Sequence, residues 1–329
     1  MTAVRYDVLG IGNAIVDVLA RADDAFLAQE GLEKGIMTLI DGPRAESLYR
    51  AMGPAREISG GSAANTIVGV GMFGGKGAFI GLVRNDQLGG IFRHDIRASG
   101  VDFETPPALE GPPTARCMVF VTPDAERTMN TYLGAAVHLS PEEIDEERVA
   151  ASKITYLEGY LWDAPPAKEA YLKAAKIAHA NGREVALSLS DPFCVDRHRA
   201  SFLDHVAGHV DLLFANEDEL LSLYEVESFD EALQRVRGHC KVAALTRSEK
   251  GAVILSGEEI HVIDAAPVEK VVDTTGAGDL FAAGFLYGYS KGLGLDLCGR
   301  LGALAAAEII SHYGARPEAD LAELAKAVL

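Results

Sequence analysis

Residues Asp273-Thr274-Thr275-Gly276-Ala277-Gly278-Asp279 lie between an apolar run, Val268-Glu269-Lys270-Val271-Val272, and an apolar-periodic one, Leu280-Phe281-Ala282-Ala283-Gly284-Phe285. The pattern predicts a strand, a glycine turn and a helix start. A helix start presents unpaired backbone N–H groups and the positive end of the helix dipole, and glycines let an anion approach the main chain closely. Such a place holds phosphate. Asp279 adds a carboxylate one residue past the last glycine, where it can take the proton of an acceptor hydroxyl as a phosphoryl group arrives. A bare Gly-x-Gly-Asp is also an ordinary tight turn with an acidic residue in the first helical turn. The string is not a Walker A loop, because no Gly-Lys-Ser/Thr follows, and it lacks the spacing of a dinucleotide fingerprint.

The elements that must position this loop follow from apolar periodicity. Residues 8–11, 78–82, 154–157, 184–189, 210–215 and 242–246 read as strands, and amphipathic segments such as 164–180 and 229–239 read as helices between them. This alternation predicts an α/β fold with a doubly wound, mainly parallel central sheet and ligands at the carboxyl ends of its strands. Two regions break the rhythm, 14–59 and 112–136; in the second, two strand-like runs flank the turn Thr122-Pro123-Asp124-Ala125 and predict a hairpin. Paired together, the two regions would make a small β-rich lid over the active edge, able to exclude water from a transferring phosphate. The expected division is a large domain of 1–13, 60–111 and 137–329 and a lid of 14–59 and 112–136.

Composition narrows the function. A chain of 329 residues, 48% hydrophobic and 24% charged, is globular rather than disordered. The net charge of −18 and the lack of a basic run exclude a nucleic-acid partner. A nucleotide triphosphate remains compatible, since its phosphates meet helix starts, a few cations and Mg²⁺ rather than the whole-molecule field. Cys117, Cys194, Cys240 and Cys298 form no C-x-x-C pair, and the nine histidines are scattered apart from His205 and His209, so neither zinc nor a redox dithiol is indicated. No stretch approaches about 18 uninterrupted apolar residues and no signal-peptide pattern opens the chain, which predicts a cytoplasmic protein with no membrane partner.

Further constellations follow strand ends. After the first strand, Gly10-Ile11-Gly12-Asn13-Ala14-Ile15-Val16-Asp17 has Ile15 where a dinucleotide fold needs a third glycine. Asn13 and Asp17 are then either turn and surface residues or holders of sugar hydroxyls, since a carboxylate accepts two vicinal O–H groups. Gly60-Gly61-Ser62-Ala63-Ala64-Asn65-Thr66 reads as a turn with Ser62 as helix N-cap. Asn216 with Glu219 reads as a capping box or as two polar groups on one helical face. Tyr160, just past a strand, is a half-buried core tyrosine or a ring that stacks on a purine.

Together these strings resemble the ribokinase-like (PfkB-type) family of carbohydrate and nucleoside kinases. The resemblance implies that Asp279 is the catalytic base and that the amides of Gly276, Ala277 and Gly278 form an anion hole. It also implies that Gly60, Gly61 and Asn65 bind the sugar of the acceptor. Asn216 and Glu219 match the family's Asn-x-x-Glu motif, which positions Mg²⁺ and water around ATP, with Glu219 reaching the metal through water. Thr246-Arg247-Ser248-Glu249-Lys250-Gly251 falls where the family has a nucleotide-side loop, Thr246 and Gly251 included, but Ser248 replaces its glycine. Asp86, followed by Gly89, resembles a supporting Gly-x-Asp-x-x-Gly segment. Arg127 matches a lid arginine of adenosine kinases that reaches phosphates, or it is a surface charge. Asp273 and Thr275 are where the family implies a monovalent cation such as K⁺.

The acceptor is signalled by Leu187-Ser188-Leu189-Ser190-Asp191-Pro192-Phe193, which resembles the adenosine kinases of the family, with Ser188 in place of an asparagine. The expected reaction is transfer of the γ-phosphoryl of ATP to the 5′-OH of adenosine; a free sugar such as ribose or fructose is the alternative acceptor, and a catalytically silent nucleoside-binding module the alternative class. Monomer and homodimer are both compatible with the sequence.

Overall fold

The computed structural model describes residues 2–124 and 126–329; Ala125 of the expected hairpin turn lies outside them. In chain order the strands are β1 (Tyr6–Ile11), β2 (Ile15–Arg21), β3 (Met37–Leu39), β4 (Ala55–Gly60), β5 (Gly77–Ile80), β6 (Ala115–Val121), β7 (Arg127–Tyr132), β8 (Ser152–Glu158), β9 (Glu184–Ser188), β10 (Leu212–Asn216), β11 (Val242–Thr246), β12 (Ala252–Ser256) and β13 (Glu259–Ile263). Eight of them form one sheet in the order β13-β12-β11-β10-β9-β8-β1-β5. From β5 through β11 the pairing is parallel, and β12 and β13 add antiparallel at the edge.

Helices cover both faces, which is why the central strands are apolar on both sides. Val8 of β1 packs into the layer of helices Ser62–Met72, Gln87–Ala98, Ala277–Ser290 and Leu295–Ile309. Its neighbours Leu9 and Ile11 point the other way, into the layer of helices Pro165–Ala180, Pro192–His209, Glu217–Tyr224 and Phe229–Val236. This is the doubly wound arrangement expected.

The other five strands form a second sheet in the order β3-β7-β6-β2-β4, with β6 and β7 as the antiparallel hairpin. Ala20, Met118 and Phe120 on one face pack on Leu27, Ala45 and Leu48 of two covering helices. Asp17, Cys117 and Thr131 are cross-strand partners, so they share the opposite face.

One expected element is missing. Residues 268–272 form no strand: Pro267, Glu269 and Lys270 interrupt the run, most of it is exposed, and its backbone bond runs from the Val272 N–H to the Ile310 carbonyl at 2.8 Å. The turn and helix after it form as expected.

Candidate active site

The helix Ala277–Ser290 starts at Gly276, whose φ of 81° is a left-handed conformation that glycine adopts without penalty. The Leu280 N–H is the first to reach a carbonyl of the helix start, that of Gly276, at 2.9 Å, and the Ala277 N–H turns back to Thr274 at 3.2 Å. The amides of Gly276, Gly278 and Asp279 have no partner among the described residues. Ala277, expected in the anion hole, is thus already committed, while the two glycine amides are open to an anion.

Asp279 sits beside them with each oxygen fixed. Oδ1 accepts from Ser62 Oγ at 2.6 Å and Oδ2 from Asn65 Nδ2 at 3.0 Å, which ties the carboxylate to the start of helix Ser62–Met72. Burial raises the carboxyl pKa against the opposing pull of Ser62, Asn65 and the Arg316 charge. A carboxylate moved up in this way is a better proton acceptor. Ser62 does not cap its helix as the sequence suggested; Gly61 occupies the N-cap with φ 101° and no side-chain bond, leaving the hydroxyl for Asp279.

The Gly60-Gly61 pair exists for close approach. A Cβ on Gly61 would stand 2.2 Å from the Asn13 carbonyl oxygen, and one on Gly60 would stand 2.4 Å from Asp17 Oδ2. Asn13, at the junction of β1 and β2, donates Nδ2 to Glu158 Oε1 at 2.6 Å, and Glu158 Oε2 accepts from the Ala63 N–H at 2.9 Å. Asn13 Oδ1 and Asn65 Oδ1 are buried without a partner. Burial pushes Asp17 up to about 6, with Asp279 acting in the same sense and Arg316 and Arg127 against it. The structure therefore gathers Asn13, Asp17, Gly60, Gly61, Asn65 and Asp279 in one place.

Sequence reasoning missed Glu158, Ser62 and Arg316. The Arg316 guanidinium donates to the carbonyls of Ser59 (2.7 Å) and Ala64 (3.3 Å) and to Ser59 Oγ (2.9 Å). Burial lowers its pKa to about 10 although Asp95, Asp17 and Asp279 all favour its charge. With Arg127 it supplies the positive charge that opposes this acidic cluster.

On the other side Asn216 and Glu219 form a full capping box. Asn216 Nδ2 donates to Glu219 Oε1 at 2.8 Å, the Asn216 N–H to Oε2 at 2.9 Å, and the Glu219 N–H to Asn216 Oδ1 at 2.8 Å. Burial pushes Glu219 up to about 7. Among the described residues no group of three or more His, Cys, Asp or Glu side chains could hold a metal directly. Thr246 pairs with Asn216 across β11 and β10. Ser248 keeps a positive φ of 52°, the conformation a glycine there would favour. Gly251 is required locally, since a Cβ would meet the Ile263 carbonyl at 2.0 Å. Asp86 caps the helix Gln87–Ala98 through the Gly89 N–H and also takes both donors of Thr114. Tyr160 is 40% exposed, and burial of its phenol raises the pKa, helped by the charges of Asp191, Asp279 and Glu219.

Arg127 is paired within the protein. It forms an ion pair with Asp273 Oδ2 at 2.5 Å, joining the smaller sheet to the loop that leads into Gly276. Oδ2 also accepts from the Gly314 N–H at 3.0 Å, and Oδ1 takes the Thr275 N–H (3.0 Å) and Oγ1 (2.7 Å). Burial works to raise the Asp273 pKa, but these bonds and the Arg127 charge outweigh it and hold the carboxyl below its usual value. A K⁺ ion, as expected at Asp273 and Thr275, would meet a carboxylate already paired with a guanidinium.

The fold recurs in known proteins. The chain superposes on a probable sugar kinase from Rhizobium etli CFN 42 with a TM-score of 0.91 and 56% identity, covering 100% of both chains. An adenosine kinase from Sinorhizobium meliloti gives a TM-score of 0.90 at 56% identity over 98% of this chain and 99% of that one. The adenosine kinase of Saccharomyces cerevisiae is 26% identical over 328 residues, 92% of this chain and 94% of the yeast protein. Residues 46–321 match the pfkB family carbohydrate kinase, and the chain belongs to that family.

Proposed function

We propose that the protein transfers the γ-phosphoryl group of ATP to a primary hydroxyl, the 5′-OH of adenosine. The observation that carries this reading is Asp279, held by Ser62 and Asn65 at a helix start whose Gly276 and Gly278 amides have no partner among the described residues. Membership of a kinase family implies ATP, and two open amides at a helix N-terminus fit its phosphate. When bound, ATP with Mg²⁺ supplies the phosphoryl group and neutralises phosphate charge. Asp279 then accepts the hydroxyl proton, the Gly276 and Gly278 amides hold the charge of the transferring group, and Glu219 with Asn216 orders water around the metal. Asn13, Asp17 and Asn65 hold the acceptor's sugar hydroxyls. Tyr160 stacks on its base, and Thr246 and Gly251 border the nucleotide.

Adenosine is favoured by the Sinorhizobium meliloti neighbour, an adenosine kinase at 56% identity. The Rhizobium etli neighbour, a probable sugar kinase, keeps a free furanose as the second reading. The smaller sheet acts as the lid, and the Arg127–Asp273 pair ties it to the loop before Gly276. The residues proposed for the site all come from one chain, which suits a monomer, while the exposed edge strand β3 offers a surface for a homodimer. Four free cysteines suit a cytoplasmic setting.

ADP release with ATP and Mg²⁺ over adenosine, inosine, ribose and fructose tests the reading. Adenosine should give the highest kcat/KM. A higher value for ribose or fructose would replace it with the sugar-kinase reading, and no acceptor-dependent ADP with any of the four would refute it.

A further inference from the structure

Glu158 takes part in no step described above, yet it is the carboxylate behind the acceptor site. It ends β8, is 1% exposed, and meets two groups: Asn13, through Nδ2 at 2.6 Å and N–H at 3.4 Å, and the Ala63 N–H at 2.9 Å. Among the described residues no cation pairs with it. Gly12 makes room for it, since a Cβ there would stand 2.3 Å from Glu158 Oε2. Burying an unpaired carboxyl is costly, and a neutral side chain would serve a purely structural tie better.

What an ionised carboxylate does that a neutral group does not is accept at both oxygens. Asn13 must therefore turn its NH₂ toward Glu158 and its Oδ1 away. That Oδ1 is buried and bare. Asn65 repeats the device: Nδ2 is held by Asp279, and Oδ1 has no partner. Buried carbonyl oxygens left without donors call for a ligand that brings them. With Asp17 beside them, the set consists of acceptors, the complement of a polyhydroxylated sugar.

We infer that Glu158 is a positioning residue for the acceptor: it fixes the orientation of the Asn13 amide so that Oδ1 takes a sugar hydroxyl. The inference rests on the acceptor reading proposed above.

Glu158→Gln tests it. The glutamine has one oxygen, which the Ala63 N–H requires, so its NH₂ faces Asn13. The Asn13 amide then turns over and presents a donor where an acceptor stood. Assayed at about pH 8.5, above the value of about 7 to which burial raises Glu158 so that the wild-type carboxylate is ionised, KM for adenosine should rise at least about tenfold with kcat within about threefold, the pattern of lost uniform binding. In an Asn13→Ala background Glu158→Gln should change KM no further. Glu158→Asp keeps the acceptor-only polarity and should recover most of the affinity. A KM within about twofold of wild type, or an undiminished effect in the Asn13→Ala background, would overturn the inference.

A second readout needs no acceptor. The ¹⁵N side-chain amide signal of Asn13, assigned by its loss in Asn13→Ala, should shift in ligand-free Glu158→Gln; an unmoved signal would also overturn the inference. Wild-type protein inactive on every acceptor would sink the proposed function, while the amide signal would still decide whether Glu158 sets Asn13.

Discussion

Removing Arg127 should cut the tie between the two sheets. Its side chain and that of Asp273 are 9% and 8% exposed, so the pair is buried rather than a screened surface contact. Breaking such a pair by deleting one partner costs about 3–5 kcal/mol when the remaining charge is stranded. Asp273 is not stranded, because the Thr275 N–H, Thr275 Oγ1 and Gly314 N–H stay on it. The expected coupling is therefore lower, about 2 kcal/mol, or about 30-fold in an equilibrium constant. Urea unfolding of the wild type, Arg127→Met, Asp273→Asn and the double variant measures it as a double-mutant cycle. Methionine keeps the apolar stem of the arginine. Trp162, the only tryptophan and stacked on Phe202 at 4.8 Å, reports the transition. Because the Asp273 pKa is lowered, the stabilisation is complete at neutral pH, above the ordinary value of 3.8, and is lost only as pH falls through the folded-state value. A coupling below about 0.5 kcal/mol, the value of an exposed pair, would refute the reasoning.

Two more outcomes follow from the same geometry. Burial moves Glu158 from 4.5 up to about 7, so the folded state holds its proton more tightly than the unfolded one. Relative to Glu158→Gln, the wild type should then lose stability as pH rises from about 4.5 through about 7, by up to about 3 kcal/mol; thermal melting of both across that range checks it, and a difference curve rising with pH would contradict it. Gly61→Ala places a methyl 2.2 Å from a backbone oxygen at φ 101°. It should destabilise by about 2–4 kcal/mol, and an unchanged melting temperature would show that the Asn13 turn is not as tight as described.

The readable parts of the chain are those whose signal is local. β10 and β11 are buried on both faces, so their apolar runs stand out whatever surrounds them. The loop from Gly276 to Asp279 is likewise a contiguous string whose conformation follows from its own glycines. β13 escaped notice because it is an edge strand with Ile260 and Val262 exposed, and residues 268–272 misled because their valines stand out although Pro267, Glu269 and Lys270 break the run. Arg127 and Asp273 are 146 residues apart, so nothing near either one signals that they pair. Glu158 reads as an ordinary polar residue at a strand end; its burial depends on the missing side chain of Gly12 and the amide of Ala63, which only the fold brings together. Arg316 is hidden for the same reason, its partners Ser59 and Ala64 coming from the other end of the chain.

The central claim is that the Asp279 carboxylate takes the proton of the acceptor hydroxyl. Turnover of Asp279→Asn with saturating ATP, Mg²⁺ and adenosine tests it most directly, since the amide can keep the bond to Ser62 while giving up basicity. The account predicts that kcat falls by at least about 100-fold; KM for adenosine rises as well, because the new amide NH₂ turns the Asn65 amide over and takes its Oδ1 away from the acceptor. A kcat within about tenfold of wild type would show that the proton leaves by another route.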